Sequence, residues 1–303
     1  MKHRRIPGVF NAFEVDDPKE IRALANLDVV DRCFETRTCP LNWLILKRSL
    51  SVLSYRGRRF PTMEPRGCAS RSLAQDALWR KLNDQIDDVK LGPAALVPLA
   101  EWVTGRGSDE EVGLLAQQLL GRLFRDDFTA TKASWDAAVI LVTAPRSKNL
   151  PKLVWWFVTG KVRRAKRVLA DLVSNDLSAV NAIGIAVHNL VKSLRLMRSL
   201  YAAVGASNTL SPASAAEKCL RAPASVYRQA NKQGSLFRTT FAKHSLFVLN
   251  IGVASQLPDS RFLVFMEETW SRCPAAGWVP AMLEGVWRLA SVGQMAATDT
   301  QGD

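Results

Sequence analysis

The sequence predicts a mainly α protein with a minor β portion, and three observations carry that expectation. No proline occurs between Pro151 and Pro212. Within that span Val173, Leu177, Val180, Gly184, Val187, Val191 and Leu194 recur at alternating four- and three-residue steps, the period of one buried helix face. Two segments, Asp17-Pro-Lys-Glu20 and Ser108-Asp-Glu-Glu111, carry the side chains of helix starts. Against these, only His244-Ser-Leu-Phe-Val-Leu-Asn-Ile-Gly-Val253 reads as a strong strand.

Taken in order, Gly8 to Val15 alternates loosely and predicts a short strand. Asp17 caps the next helix, Pro18 suits its first turn and Glu20 completes a capping box. Residues 39–70 carry mixed signals and receive no assignment. A helix is expected from Leu73 to Val89, with Leu73, Ala77, Leu78 and Leu82 on one side. Ser108 to Glu111 opens another, burying Val112, Leu115, Ala116, Leu119, Leu123 and Phe124. A further helix covers about Thr129 to Thr143 and ends before Pro145. The proline-free stretch then predicts one long central helix, about 168–201, far beyond the mean of about 11 to 12 residues. Its small centre (Ala182, Gly184, Ala186) allows either close helix packing or room for a flat ligand. Ala213 to Arg221 is a short helix stopped by Pro223, 245–253 is the strand, and Thr269 to Gly277 is a loop. The last helix, Val279 to Ala290, buries Met282, Leu283, Val286 and Leu289, and a polar tail at 293–303 frays. No boundary divides the chain, so 1–303 is expected to be a single domain.

Composition narrows the class. At 303 residues and 48% hydrophobic, with nine Trp, the chain is too apolar to be disordered. No apolar run reaches the ~18 residues of a spanning helix, and the basic start lacks the apolar stretch of a secretory signal. Five irregularly spaced cysteines imply no disulfide framework and fit a reduced, cytoplasmic protein. The net charge of +13 is concentrated. Between Pro145 and Ser245 stand 17 Lys and Arg against three acids, Asp171, Asp176 and Glu217. Such a stretch is a solvated helix face or a site for an anion: nucleic acid, an acidic protein, a membrane surface or a cofactor's carboxylates. No helix-turn-helix, RNP or zinc-finger pattern accompanies it, so nucleic acid is not favoured.

Protein-only metal sites are not indicated, since His3, His188 and His244 share no motif and Cys33 and Cys39 lack a second pair. Gly-rich phosphate loops and the G-x-S-x-G elbow are absent. A Cys–His nucleophile would need His188 or His244 beside Cys219 or Cys273. The remaining feature is an order of elements. A long helix with a small centre precedes Glu217-Lys-Cys-Leu-Arg-Ala-Pro223, then Ser225-Val-Tyr-Arg228, the strand, Leu257-Pro-Asp-Ser-Arg-Phe-Leu-Val-Phe265, and Trp270-Ser-Arg-Cys-Pro-Ala-Ala-Gly277 before an apolar helix.

That order resembles the haem-binding half of the cytochrome P-450 superfamily, chiefly over residues 160–290. The resemblance implies a P-450-like helical fold with a cysteine loop before the last helix, and a haem-binding half at 151–292. Cys273 would then ligate the haem iron as a thiolate stabilised by a helix N-terminus. Arg228 matches the spacing of a propionate-binding arginine after Pro223, with Arg238, Lys243 and His244 as further propionate candidates. Gly184 and Ala186 would lie over the distal haem face, with His188 and Asn189 nearby as the distal catalytic candidates. Without the resemblance, Cys273 fits a small residue packed in a turn, Gly184 a helix contact and Arg228 a surface cation.

The sequence also departs from the family. Lys218 stands where its Glu-x-x-Arg motif needs Glu, with Glu217 one step out of register. In the cysteine loop Phe265 is one residue too distant, and Thr269 and Ala275 replace two glycines. The central helix has no acid-alcohol pair to deliver protons to dioxygen, and the chain is about a hundred residues shorter than a typical member. The implied activity is haem-thiolate oxidation of a small hydrophobic substrate, by monooxygenation with an acidic redox partner or by peroxide-dependent oxidation or rearrangement. A degenerate member without haem is one alternative. The other is a non-enzymatic basic helical protein that binds an acidic partner or nucleic acid.

Overall fold

The computed structural model describes residues 1–35, 38–87, 93–145, 149, 151, 155–156, 158–204 and 210–299, with Asp87, Pro93 and 293–299 described by backbone alone. The chain forms two compact units, each drawn from three separate stretches. The first comprises Met1–Asp76, Ile140–Lys166 and Ala222–Cys273; the second comprises Ala77–Val139, Arg167–Arg221 and Pro274–Asp303.

The first unit is built on a five-stranded sheet that joins the start of the sequence to residues 226–249. Its strands are β1 (Lys2–Ile6), β2 (Phe10–Val15), β3 (Val30–Asp31), β6 (Val226–Ala230) and β9 (Leu246–Leu249), in the order β1-β2-β9-β6-β3. β2 and β9 pair in parallel, from Ala12 opposite Leu246 to Val15 opposite Leu249. Phe13, Val15, Phe247 and Leu249 bury one face against Ile21 and Leu24 of α1 (Pro18–Asn26). Phe13 stacks on Phe247 with ring centroids 5.2 Å apart, and Phe241 meets Phe247 edge-on at 5.0 Å. Asp17 caps α1 as the sequence predicts, accepting from the Glu20 amide at 2.9 Å. The predicted strand at 245–253 is shorter than expected. After Leu249 the chain turns into a four-residue helix, α10 (Ile251–Ala254), and the Gly252 amide donates to Ala224 O at 3.1 Å.

The unassigned stretch 39–70 holds α2 (Pro40–Val52) and a small hairpin of β4 (Ser54–Tyr55) and β5 (Arg58–Arg59). The helix is hidden in the sequence because its buried positions, Asn42, Leu46, Ser49 and Val52, keep helical spacing but half of them are polar. Asn42 pairs its amide with the Asn11 backbone, donating to O at 2.7 Å and accepting from N at 3.2 Å. Helix α3 (Ala69–Asp87) corrects another expectation. Leu73 is 71% exposed and Ala77 is exposed, while Arg71, Leu82 and Gln85 are buried. The buried register is offset by polar residues that an apolar pattern does not count.

The second unit is helical. It contains α4 (Pro93–Val103), α5 (Glu111–Arg122) and most of α6 (Lys132–Thr143). Ser108 does not cap α5 with its side chain; its carbonyl accepts from the Glu111 amide at 3.2 Å and from Trp102 Nε1 at 2.8 Å. Val112, Ala116, Leu119 and Leu123 are buried as predicted. The long helix predicted near 168–201 is two helices. α7 (Lys161–Leu172) ends where Ser174 and Asn175 take positive φ, at 52° and 62°. Asp176 then caps a new helix, α8 (Leu177–Val204), by accepting from the amides of Ser178 and Ala179. The apolar period runs through this break because Val173 stays buried at the end of α7. α9 (Pro212–Cys219) follows, and α12 (Trp278–Asp299) continues past the predicted end at 290. Tyr201 of α8 meets Trp287 of α12 edge-on and donates to Ala290 O at 3.0 Å. By length and composition α8 could cross a membrane, but half of its most apolar window is buried in the structure.

Candidate functional site

The segment before Cys273 is shaped by its own backbone and short side chains. The helical turn α11 (Phe262–Phe265) stops at Met266 with φ 54°. The Cys273 amide donates back to Phe265 O at 2.7 Å, and Thr269 Oγ1 donates to Met266 O at 2.9 Å. Cys273 is therefore in a turn-rich loop, five residues ahead of Trp278 where α12 begins, and not on the first turn of that helix.

Two arginines hold this loop by hydrogen bonds and a third, Arg32, lies against its Trp270 ring. Arg228 of β6 is 1% exposed, so the surface reading of it is wrong. It donates from Nη2 to Ser271 Oγ at 2.7 Å and from Nη1 to Tyr227 O at 2.8 Å. Arg71 of α3 donates to Trp270 O at 3.1 Å, and Gln75, one turn on, donates to Arg272 O at 3.0 Å. Arg32, just after β3, donates to Thr62 O. All three guanidinium groups gather around the Trp270 indole, Arg71 at 4.4 Å, Arg32 at 5.5 Å and Arg228 at 5.6 Å from the ring centroid.

The electrostatics of this cluster are unbalanced. Burial pushes the Arg228 pKa down to about 10, with a further lowering from Arg71. Arg32 falls well below its ordinary value through burial first, then through Arg228 and Arg71; Asp31 and Cys273 oppose the fall. Arg71 is lowered too, mainly by burial. Asp31, the carboxylate nearest them, accepts from the backbone amides of Arg32 (2.6 Å) and Arg66 (3.0 Å). The Nε atoms of Arg71 and Arg228 are buried without a hydrogen-bond partner. Three buried cations, one buried carboxylate and two unused donors describe a seat for an anion with about two charges. Haem carries two carboxylates, so the residues present fit it.

The other expected contacts are elsewhere. Arg238 is exposed at the turn between β7 (Gly234–Leu236) and β8 (Thr239–Phe241), and Lys243 is also exposed. His244, at φ 67°, places Nδ1 3.4 Å from a Glu35 carboxylate oxygen. Sequence reasoning missed Arg32 and Arg71. The helical spacing of Arg71, Leu78, Leu82 and Gln85 was the available signal for Arg71; Arg32 had none.

In the second unit, Gly184 is buried within a π turn, Ala182–Ala186, at the middle of α8. Gln117 of α5 stabilises it, donating to Ile183 O at 2.9 Å and to Ser134 O at 3.2 Å while accepting from Ser134 Oγ at 2.5 Å. π turns of this kind are frequent at functional positions. His188 is engaged: Nε2 is 3.0 Å from Ala138 O and its ring lies 5.0 Å from Trp135. Asn189 is half-buried and Ala186 is exposed.

No protein-family model and no curated protein sequence matches the chain. Solved structures do. CYP175A1 from Thermus thermophilus superposes with a TM-score of 0.60 at 18% identity, over 95% of this chain and 83% of that one. Ligand-free cytochrome P450 OleT gives 0.61 at 11% identity, over 95% and 82%. CxnD, described as a P450 for C–S bond formation in chuangxinmycin biosynthesis, gives 0.61 at 11%, over 94% and 80%. The fold is that of the cytochromes P450. It is a divergent P450 fold, mainly α as the sequence predicts, reached with little of those sequences retained.

Proposed function

We propose that this P450-fold chain is a haem-thiolate oxidoreductase acting on a small hydrophobic substrate, with a peroxide as oxidant. The observation that carries the reading is the buried cluster of Arg32, Arg71 and Arg228 on the loop that ends in Cys273. Haem, when bound, supplies the iron at which an oxygen atom passes from oxidant to substrate. Cys273 is the residue that would ligate it, and the guanidinium groups would neutralise its two carboxylates. Cys273 is among the groups that raise the Arg32 pKa against the lowering by burial, which sets the two side chains in one electrostatic neighbourhood.

Peroxide is the favoured oxidant because the stretch that the family resemblance assigns to the distal side carries no acid-alcohol pair. The π turn of α8, Ala182-Ile-Gly-Ile-Ala186, contains no acid or alcohol, and the His188 Nε2 is committed to Ala138 O. Reducing dioxygen needs delivered protons. A peroxide brings its own: one oxygen enters a substrate C–H bond and the other leaves as water. The basic excess at 145–245 reads differently once located, because Arg228 and Lys166 are interior.

The test is spectroscopic and then catalytic. Protein reconstituted with haemin is expected to show a Soret band, with the red-shifted ferrous carbonyl band of a thiolate ligand. Cys273→Ser is expected to lose that shift. Hydrogen peroxide with a long-chain fatty acid is the first assay, since an OleT variant is known in complex with arachidonic acid. Protein that takes up no haemin would sink the reading.

A further inference from the structure

The β1–β2 turn and the start of α2 form an exposed surface that the haem reading does not use. The Leu41 amide donates to Val9 O at 3.0 Å and fixes the turn against the helix. Around that bond large apolar side chains face solvent: Ile6 at 53%, Val9 at 44% and Trp43 at 42%, with Leu41 and Leu44 close behind. Soluble surfaces seldom gather so many large apolar groups without a partner.

The charges around the patch are predominantly basic, with Glu14 the acid among them. Lys2 and Arg4 share a face of β1 with Ile6, and all of β1 is exposed. Lys47, one helical turn from Trp43, holds its ammonium 5.8 Å from the indole centroid. No Asp or Glu occurs from Met1 to Phe13, nor from 36 to 63. Arg4 pairs with Glu14 at 2.8 Å, and the remaining basic side chains are not offset within these segments.

We propose that this surface docks on an anionic lipid bilayer, peripherally, with Ile6, Val9, Leu41, Trp43 and Leu44 at the headgroup boundary. Trp prefers that boundary and basic side chains prefer its charge, so one partner rewards both halves of the patch. A second copy of the chain fits less well, because pairing two β1 edges would oppose like charges. Nucleic acid would satisfy the cations and leave the apolar side chains in water.

The experiment is flotation of the full chain with vesicles, either pure phosphatidylcholine or containing about a third phosphatidylserine. Binding to the anionic vesicles and not to the neutral ones is expected, weakened by salt. Trp43→Ser with Leu44→Ser should lower the bound fraction about tenfold. Lys2→Glu with Lys47→Glu should remove the preference for phosphatidylserine. Both pairs are exposed, and thermal melts matching the parent confirm that the fold is retained. Phe237→Ser, at an exposed hairpin tip, should change nothing. Protein that stays unbound with anionic vesicles overturns the proposal, and so does binding that survives both double variants. Neither result bears on haem uptake.

Discussion

Arg228 donates from Nη2 to the Ser271 hydroxyl at 2.7 Å, so a fully buried cation on β6 ties down the loop two residues before Cys273. Substituting the two ends of this bond should have unequal effects. Ser271→Ala leaves a buried charged donor without its acceptor, and the expected loss is about 1.5–3 kcal/mol in urea unfolding. Arg228→Met removes the buried charge along with its bond, and so should cost the free protein less. It should nevertheless weaken haemin binding at least about tenfold, because a charge-assisted contact to a carboxylate is lost. Equal stability losses, or unchanged haemin affinity, would refute the account of the cluster.

The same cluster predicts a response to simple anions. With Arg71 Nε and Arg228 Nε both unpartnered, pyrophosphate should raise the thermal midpoint saturably, by binding only the folded state. Chloride at matched ionic strength should not. Arg71→Met combined with Arg228→Met should abolish the difference, which differential scanning fluorimetry would show.

How much of this was legible depends on what a sequence pattern counts. Apolar periodicity found α5 and the α8 face, and the Asp17 cap located α1 to the residue. It failed where polar residues point inward, as with Asn42 and Ser49 in α2 and with Arg71 and Gln85 in α3. It also ran two helices together, because Val173 and Leu177 remain in phase across Ser174 and Asn175, whose positive φ values have no apolar signature. The candidate site was half legible. The family resemblance singled out Arg228 by its spacing after Pro223, and the structure shows it buried, whereas Arg32 is brought beside it from early in the chain through the β3–β6 pairing. No local pattern announces such a partner.

Lys166 predicts a pH dependence. Its ammonium is buried and donates to Ser51 O at 2.7 Å and to Ser54 O, and burial lowers its pKa from 10.5 to about 8. Below about pH 8 both states are protonated and the native state bears the penalty of burial. Between about 8 and 10.5 the unfolded chain keeps a proton that the native state has released, so this group's contribution to stability rises with pH. Cys219, raised from 9.0 to about 11 by burial, acts in the opposite sense across roughly 9 to 11. The difference in unfolding free energy between the parent and Lys166→Met isolates the lysine. It should shift in the parent's favour from pH 7.5 to about pH 10. A flat difference would mean that the Lys166 pKa is ordinary.

Gln117 is expected to set the shape of α8. It is fully buried and its amide serves Ile183 O within the π turn as well as Ser134. Gln117→Leu keeps the volume but takes the amide from Ile183 O and Ser134 O and from the Ser134 hydroxyl, which keeps Thr131 O, and should cost about 2 kcal/mol. Ser134→Ala removes one of these bonds together with the hydroxyl's contacts to the Thr131 carbonyl and amide, and should cost about 1–2 kcal/mol without opening the π turn. Amide exchange from Gly184 to His188 should rise in Gln117→Leu more than elsewhere on α8. Uniform exchange along the helix would show that the π turn holds itself.

Gly113 places a rigid limit on the face of α5 that meets α6. A methyl group there would be 2.2 Å from Trp135 Cε2, a ring atom that cannot swing aside like the end of a flexible chain. Gly113→Ala should gain about 1 kcal/mol of helix propensity and lose more to overpacking, about 1–3 kcal/mol or above. The displaced indole lies against His188, whose Nε2 is 3.0 Å from Ala138 O. The substitution should therefore also disturb the His188 ring, visible as a shifted imidazole signal in NMR, although Gly113 itself is on another helix. Trp135→Phe should restore stability in the double variant, because a smaller ring admits the methyl. Gly67→Ala, which meets nothing within 4 Å and has no positive φ, is the matched control and should be neutral or stabilising. If Gly113→Ala behaves like Gly67→Ala, the contact between α5 and Trp135 is looser than these distances require, and the positioning of His188 by that ring fails with it.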